Sequence, residues 1–222
     1  MPRCARGQAR SSDPASRSGR SSRDDRTLSE AAPLTDLPDR LKLAFAFDAD
    51  ALAADARAFD ESVWQKHFNT QYYEGDWSGV PLRTPGGRLT ILPDPAGTET
   101  YADTPLLAQS PAIRDVLAAL PCDTTSVRLL RLGPGARVRQ HRDYNIGLDA
   151  GEIRLHVPVV TGPGVEFVLN ERPLRMEPGE CWFVDVSCPH RVANPGPSTR
   201  VHLVIDCVVN GALMAVLEIA QP

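Results

Sequence analysis

The chain has 222 residues, 42% of them hydrophobic, and a formal net charge of −4 at neutral pH. That length and apolar content suit one globular domain with a proper core. The mildly negative charge offers no footprint for a nucleic-acid partner, and no apolar run approaches the ~20 residues of a membrane-spanning helix.

Residues 1–35 are set apart by composition. "MPRCARGQARSSDPASRSGRSSRDDR" is rich in Arg and Ser with almost no large apolar side chains, so it is expected to be a disordered tail. Residues 36–222 are expected to form a single domain. "LKLAFAF" alternates as a strand. In "DADALAADARAFDESVWQKH", Leu52, Ala56, Phe59 and Val63 recur at helical spacing, with Asp48 or Asp50 as N-cap. "NTQYYEGDWSGVPLRTPGG" is aromatic and irregular and ends in a strand and turn. "PLLAQSPAIRDVLAALP" predicts a second helix, with Ser110 as N-cap and Pro111 in its first turn. After Pro121 come eight short β-like runs, from "SVRLLRL" to "TRVHLVIDCVV", separated by turns such as "TGPG" and "EPGE". The expected fold is mainly β with flanking helices, a sandwich or barrel of the jelly-roll kind. "GALMAVLEIA" closes the chain as a helix, apolar enough to pack on the barrel or on a second subunit.

Cysteines occur at positions 4, 122, 181, 188 and 207 without any CxxC pair. Their odd number argues against a complete disulfide framework, and buried free thiols are expected. With no hydrophobic leader, the expected compartment is the cytoplasm. Arginine outnumbers lysine 22 to 2, a skew of coding composition that gives no single arginine a role.

Chemistry concentrates in the β region. On a strand, residues i and i+2 share a face. His141 and Asp143 in "QHRDYNIG" therefore project together, and His190 follows the "ECWFVDV" strand. Two histidines and one carboxylate make a facial triad that leaves open positions on a metal, an arrangement suited to Fe(II) and O2. In the strand containing "TRVHLVIDC", Arg200, His202, Val204 and Asp206 share one face. Arg154 and His156 likewise face away from Ile153, Leu155 and Val157. A buried arginine needs an anion, and a dicarboxylic acid would satisfy both basic clusters. "HRD" is not a kinase catalytic loop, because Leu148 stands where that loop needs asparagine.

In this order, "HRD", "RLHVPV", "GECWFVDVSCPH" and "PHRVANPGPSTRVHLVID" resemble the aspartyl/asparaginyl β-hydroxylase family. "HFNTQYYEGDWSGVPLR" resembles the N-terminal part of its bacterial members. The resemblance covers residues 40–210 and implies an Fe(II)- and 2-oxoglutarate-dependent dioxygenase on a double-stranded β-helix, hydroxylating a C–H bond of an amino acid, free or peptide-borne. It implies His141, Asp143 and His190 as iron ligands and Arg200 at the distal carboxylate of 2-oxoglutarate. Arg154 and His156 would lie near the cosubstrate's chelating end. Animal, protein-modifying members lack the carboxylate that Asp143 supplies and use a serine where this chain has Leu130. That departure favours the bacterial branch and small substrates.

Asn69, Trp77, Arg83 and Tyr144 are candidate substrate contacts, the first three within a lid-like segment that also holds His67 and Tyr72. Arg83 is as readily a surface arginine. His202 reads as a core histidine, Asp185 and Asp206 as partners of nearby basic groups, and Asn194 as a turn brace. Two other classes compete: a cupin-like metalloenzyme working without 2-oxoglutarate, and a non-catalytic jelly roll that binds a small acid.

Overall fold

The computed structural model describes residues 37–93 and 97–221. The segment expected to be a disordered tail lies outside the described residues. In chain order the elements are β1 (Arg40–Ala46), α1 (Ala49–Arg57), β2 (Gln65–Lys66), β3 (Tyr73–Glu74), β4 (Trp77–Pro85), β5 (Tyr101–Asp103), α2 (Pro105–Ala108), α3 (Pro111–Ala119) and β6 (Thr124–Leu132). There follow β7 (Arg137–His141), β8 (Glu152–Val160), β9 (Glu166–Leu169), β10 (Arg172–Pro173), β11 (Glu180–Val184), β12 (His190–Ala193), β13 (Arg200–Val208) and α4 (Gly211–Ile219).

From β6 onward the chain passes back and forth between two sheets. The larger has the order β1-β11-β8-β13-β6-β4-β2, with β5 paired to β4; the smaller has the order β10-β9-β12-β7-β3. Two facing antiparallel sheets joined in this way are the expected jelly roll. Strand alternation divides the larger sheet. Val127, Leu129, Leu155, Val157, Leu203 and Ile205 are buried in one cluster with Leu52, Ile113 and Leu213 of the helices. Burial of each such side chain contributes about 1.5–3 kcal/mol. The opposite face, with Arg128, Arg154, His156, Arg200 and Asp206, lines a cavity between the sheets. A second apolar cluster, including Leu132, Val138, Phe167, Leu169 and Val192, closes the far part of that space.

The N-terminal helices differ from expectation in extent. α1 starts at its Asp48 cap, whose carboxylate accepts from the Asp50 and Ala51 amides, but stops at Arg57. Asp60 caps a separate 3-10 turn, accepting from Ser62 N at 2.8 Å. The single helix expected over 105–120 is two, because Pro111 has no N–H to give a helix interior. Ser110 is the N-cap of α3 by position, yet its hydroxyl donates back to Leu106 O at 3.2 Å. The orphan amide of Ile113 goes instead to Asp55 Oδ2, at 3.0 Å, on α1. Gly179 (φ +81°) holds the β10–β11 turn against β1, where a Cβ would sit 2.3 Å from Phe47 O. α4 packs on the barrel through Leu213 and Leu217, both fully buried. Cys122, Cys181 and Cys207 are free thiols.

Candidate metal centre and its cavity

β7 and β12 are neighbours in the small sheet, and their register sets His141 opposite His190. The imidazole centroids are 4.2 Å apart. Asp143 joins them by a different route from the one expected. β7 ends at His141, and Asp143 N then donates to Val186 O at 2.9 Å. This turn brings Asp143 Oδ1 to 3.5 Å from His141 Nε2. One ligand atom from each of His141, Asp143 and His190 lies within 4.8 Å of the others.

Both rings are oriented by the backbone. His141 Nδ1 is 2.8 Å from Arg139 O, and His190 Nδ1 is 3.0 Å from Cys188 O. A carbonyl only accepts, so each Nδ1 carries the proton and each Nε2 offers its lone pair. Burial, reinforced by His141, pushes the His190 pKa down to about 4, which keeps that ring neutral. For Asp143, burial opposes ionisation, but the Arg154 guanidinium against it outweighs that cost and holds the pKa below its ordinary value. Two neutral nitrogens and one anionic oxygen on one side of a point suit an octahedral Fe(II) with open positions.

Arg200, at the start of β13, is 5% exposed. Its Nε and Nη2 have no hydrogen-bond partner among the described residues. Burial alone pulls its pKa down to about 9, so it is still a cation at neutral pH. A buried guanidinium without a partner is costly, and a carboxylate removes that cost through two parallel hydrogen bonds. The donor set thus fits a chelating dicarboxylate beside the metal. His156 Nε2 is likewise unpartnered. Its Nδ1 lies 3.4 Å from His202 Nδ1. Burial first, and Arg200 second, keep both of these histidines neutral.

Arg154 departs from expectation. It does not wait for an external anion, because each of its nitrogens already donates to a carboxylate. Nε and Nη2 donate to Asp206 at 2.6 and 3.0 Å, and Nη1 donates to Asp143. Asp206 also accepts from Arg128 Nη1 at 3.0 Å. Burial opposes the Asp206 carboxylate, yet the two arginines hold its pKa at about 2. The resulting chain of charges braces Asp143 from behind. Arg83 is also corrected: its guanidinium donates to Thr124 O at 2.8 Å and Asp103 Oδ1 at 2.5 Å, outside the cavity lining.

Asn69, Trp77 and Tyr144 do line the cavity, which has a volume of about 840 Å³. Trp77 stacks on His67, with centroids 3.6 Å apart. Burial depresses the His67 pKa to about 3, with Arg128 the next cause. Tyr144 is 82% exposed at the rim. Asn194 is a brace, donating to Leu132 O, Gly133 O and Ser198 O. Asp185 holds the Ser187 amide and hydroxyl rather than a basic group. Sequence reasoning missed Arg128. Its signal was its alternation with Val127 and Leu129, which turns it to the face of Arg154 and Arg200.

The family model for aspartyl/asparaginyl beta-hydroxylases matches residues 47–209, a span that contains every group just described. The chain belongs to the aspartyl/asparaginyl beta-hydroxylase family. One relative of this hydroxylase-family chain is an L-proline cis-4-hydroxylase of Rhizobium meliloti (strain 1021), 26% identical over 162 residues. That match takes in 72% of this chain and 57% of the relative, so it spans little over half of the relative's length. A prolyl-4-hydroxylase structure from Pseudomonas putida superposes with a TM-score of 0.49 at 18% identity, covering 78% of this chain and 94% of that one. A 2OG-Fe(II) oxygenase family oxidoreductase from Burkholderia pseudomallei gives a TM-score of 0.49 at 17% identity, covering 73% and 78%.

Proposed function

We propose that the protein is an Fe(II)- and 2-oxoglutarate-dependent hydroxylase acting on a C–H bond of an amino acid, free or peptide-borne. The observation that carries this reading is the pairing, in one cavity, of a two-histidine, one-carboxylate cluster with the buried Arg200, whose Nε and Nη2 have no hydrogen-bond partner among the described residues. A metal site alone fits a cupin-like enzyme equally well; the orphaned guanidinium calls for an anionic cosubstrate. The proline-hydroxylating relative supports an amino acid as substrate.

His141, Asp143 and His190 would hold the metal, and Arg200 the distal carboxylate of the cosubstrate. Bound Fe(II) and 2-oxoglutarate supply oxygen activation, with the cosubstrate oxidised to succinate and carbon dioxide while one oxygen atom enters the substrate. The chain's own residues do the positioning. The Arg139 and Cys188 carbonyls fix the two imidazoles. Arg154 fixes the Asp143 carboxylate and keeps it ionised. His156 and His202, both neutral, add no charge beside Arg200 and leave the cosubstrate's carboxylate to pair with it. Trp77 and Tyr72 line the same cavity between the facing sheets and would shield the reacting carbon from water.

The test is anaerobic addition of Fe(II), then 2-oxoglutarate, to metal-stripped protein. The expected result is a visible charge-transfer band that is lost in His190→Ala and weakened in Arg200→Ala. Bound Fe(II) without a band would move the cupin-like reading to first place. Undiminished turnover in Asp143→Ala would overturn the ligand assignment.

A further inference from the structure

His156 and His202 form a pair in which one ring faces the cavity and the other stands behind it. β8 and β13 are neighbours in the larger sheet, and their register sets His156 across from Val204, two residues along from His202. His156 lines the cavity. Its Nε2 has no hydrogen-bond partner among the described residues, although the residue is only 7% exposed. His202 is 2% exposed and lies outside the cavity lining. Its neighbours across the flanking strands are Leu130 and Pro158. Neither of those side chains can form a hydrogen bond. The Nδ1 atoms of the two histidines meet at 3.4 Å, so each ring is the other's partner.

That contact admits two arrangements. A neutral imidazole carries one N–H and one lone pair. Burial first, and Arg200 second, keep both rings neutral, so one Nδ1 donates and the other accepts. If His156 were the donor, its Nε2 would turn a lone pair into the cavity. If His202 is the donor, His156 Nε2 carries the proton and offers an N–H there instead.

The cavity's ligand decides between them. The buried Arg200 guanidinium calls for an anion, and a carboxylate only accepts. A lone pair on Nε2 would set one buried acceptor against another and leave both unpaired, which is costly. An N–H on Nε2 removes that conflict. A histidine between Leu130 and Pro158 is then accounted for as well. An apolar side chain would fill the same space, but only a ring nitrogen can set which nitrogen of His156 holds the proton.

Building on the hydroxylase reading, we infer that His202 is a positioning residue: its Nδ1–H donates to His156 Nδ1, which fixes His156 as a donor, through Nε2–H, to a carboxylate of the cosubstrate.

The test is anaerobic calorimetric titration of the Fe(II)-loaded full chain with 2-oxoglutarate. His202→Phe keeps a ring in place and removes the donor; it should weaken binding about fivefold or more, and His156→Phe at least as much. The two losses should not add in the double variant, because His202 acts only through His156. Nitrogen-15 spectra of the unaltered protein with Zn(II) and 2-oxoglutarate locate the proton directly. The His156 signals, assigned by their loss in His156→Phe, should be those of the Nε2–H tautomer. An Nδ1–H tautomer at His156 would overturn the inference whether or not the variants fold. Unchanged affinity in His202→Phe, or fully additive losses, would overturn it too. If the unaltered Fe(II)-loaded protein bound no 2-oxoglutarate at all, the hydroxylase reading itself would fall.

Discussion

Arg200 sets a conflict between stability and binding. It is a buried cation with two nitrogens unpartnered among the described residues, and burial alone moves its pKa to about 9. Replacing such a charge by an apolar side chain of similar length is often stabilising, by about 1–4 kcal/mol. Arg200→Met should therefore melt at a higher temperature than the parent in the absence of 2-oxoglutarate. Saturating 2-oxoglutarate should raise the parent's melting temperature and leave the variant's unchanged; calorimetric scans of both proteins check it. At this scale much was legible in the sequence. His141, His190 and Arg200 stood out because a polar side chain at an alternating strand position must face something. The role of Arg154 was not legible, since its partner Asp206 lies on the neighbouring strand, far along the chain, and only the β8–β13 register brings the two together. Arg83 misled for a related reason. A register shift between Pro81 and Arg83 turns its side chain toward Asp103 and out of the cavity.

The first two long helices are joined by one hydrogen bond that no local pattern predicts. α3 begins after Ser110, whose hydroxyl serves the preceding helix, and Asp55 of α1 takes the Ile113 amide. Loss of a capping acceptor typically costs about 0.5–2 kcal/mol. Asp55→Ala should lower unfolding stability by that amount or somewhat more, because the amide it leaves is buried. Asp55→Asn, which keeps an acceptor oxygen, should recover most of the loss, as read from urea midpoints at constant slope. Strand existence was legible throughout the jelly roll, where Gly and Pro punctuate short alternating runs. Helix ends were not. The stretch from Ala58 to Lys66 keeps a helical rhythm of apolar residues, yet the Asp60 turn and the pairing of β2 with β4 override it.

Across the whole molecule, histidines govern the response to acid. His67, His156, His190 and His202 are all held below their ordinary pKa, with burial the leading cause in each. The unfolded chain therefore binds protons before the folded one as pH falls. Their stabilisation is complete above about pH 6.5 and drains away below it, by up to about 1.4 kcal/mol per pH unit for each histidine. The decline ends near pH 4 for His190 and near pH 3 for His67. Urea midpoints should be flat above neutrality and fall steeply between about pH 6.5 and 4. His67→Phe, which keeps a ring against Trp77, should make that fall shallower. The cavity that His67, His156 and His190 line was the least legible feature. Its size depends on how far apart two sheets stand, which no run of residues encodes.

The register that sets His141 opposite His190 has a mechanical consequence. β7 and β12 are joined there by a ladder that slips between His190 and Val192. An ion gripping both imidazoles and Asp143 would act as a rivet through this weak seam. At a hundred times its dissociation constant, a metal that binds only the folded state adds about 2.7 kcal/mol. Hydrogen exchange should find that gain concentrated in the amides of the β7–β12 seam, with the β8–β13 ladder almost unchanged. The small sheet would then owe part of its rigidity to its own catalyst, and starving the protein of metal would loosen the wall of the cavity before it touched the rest of the fold.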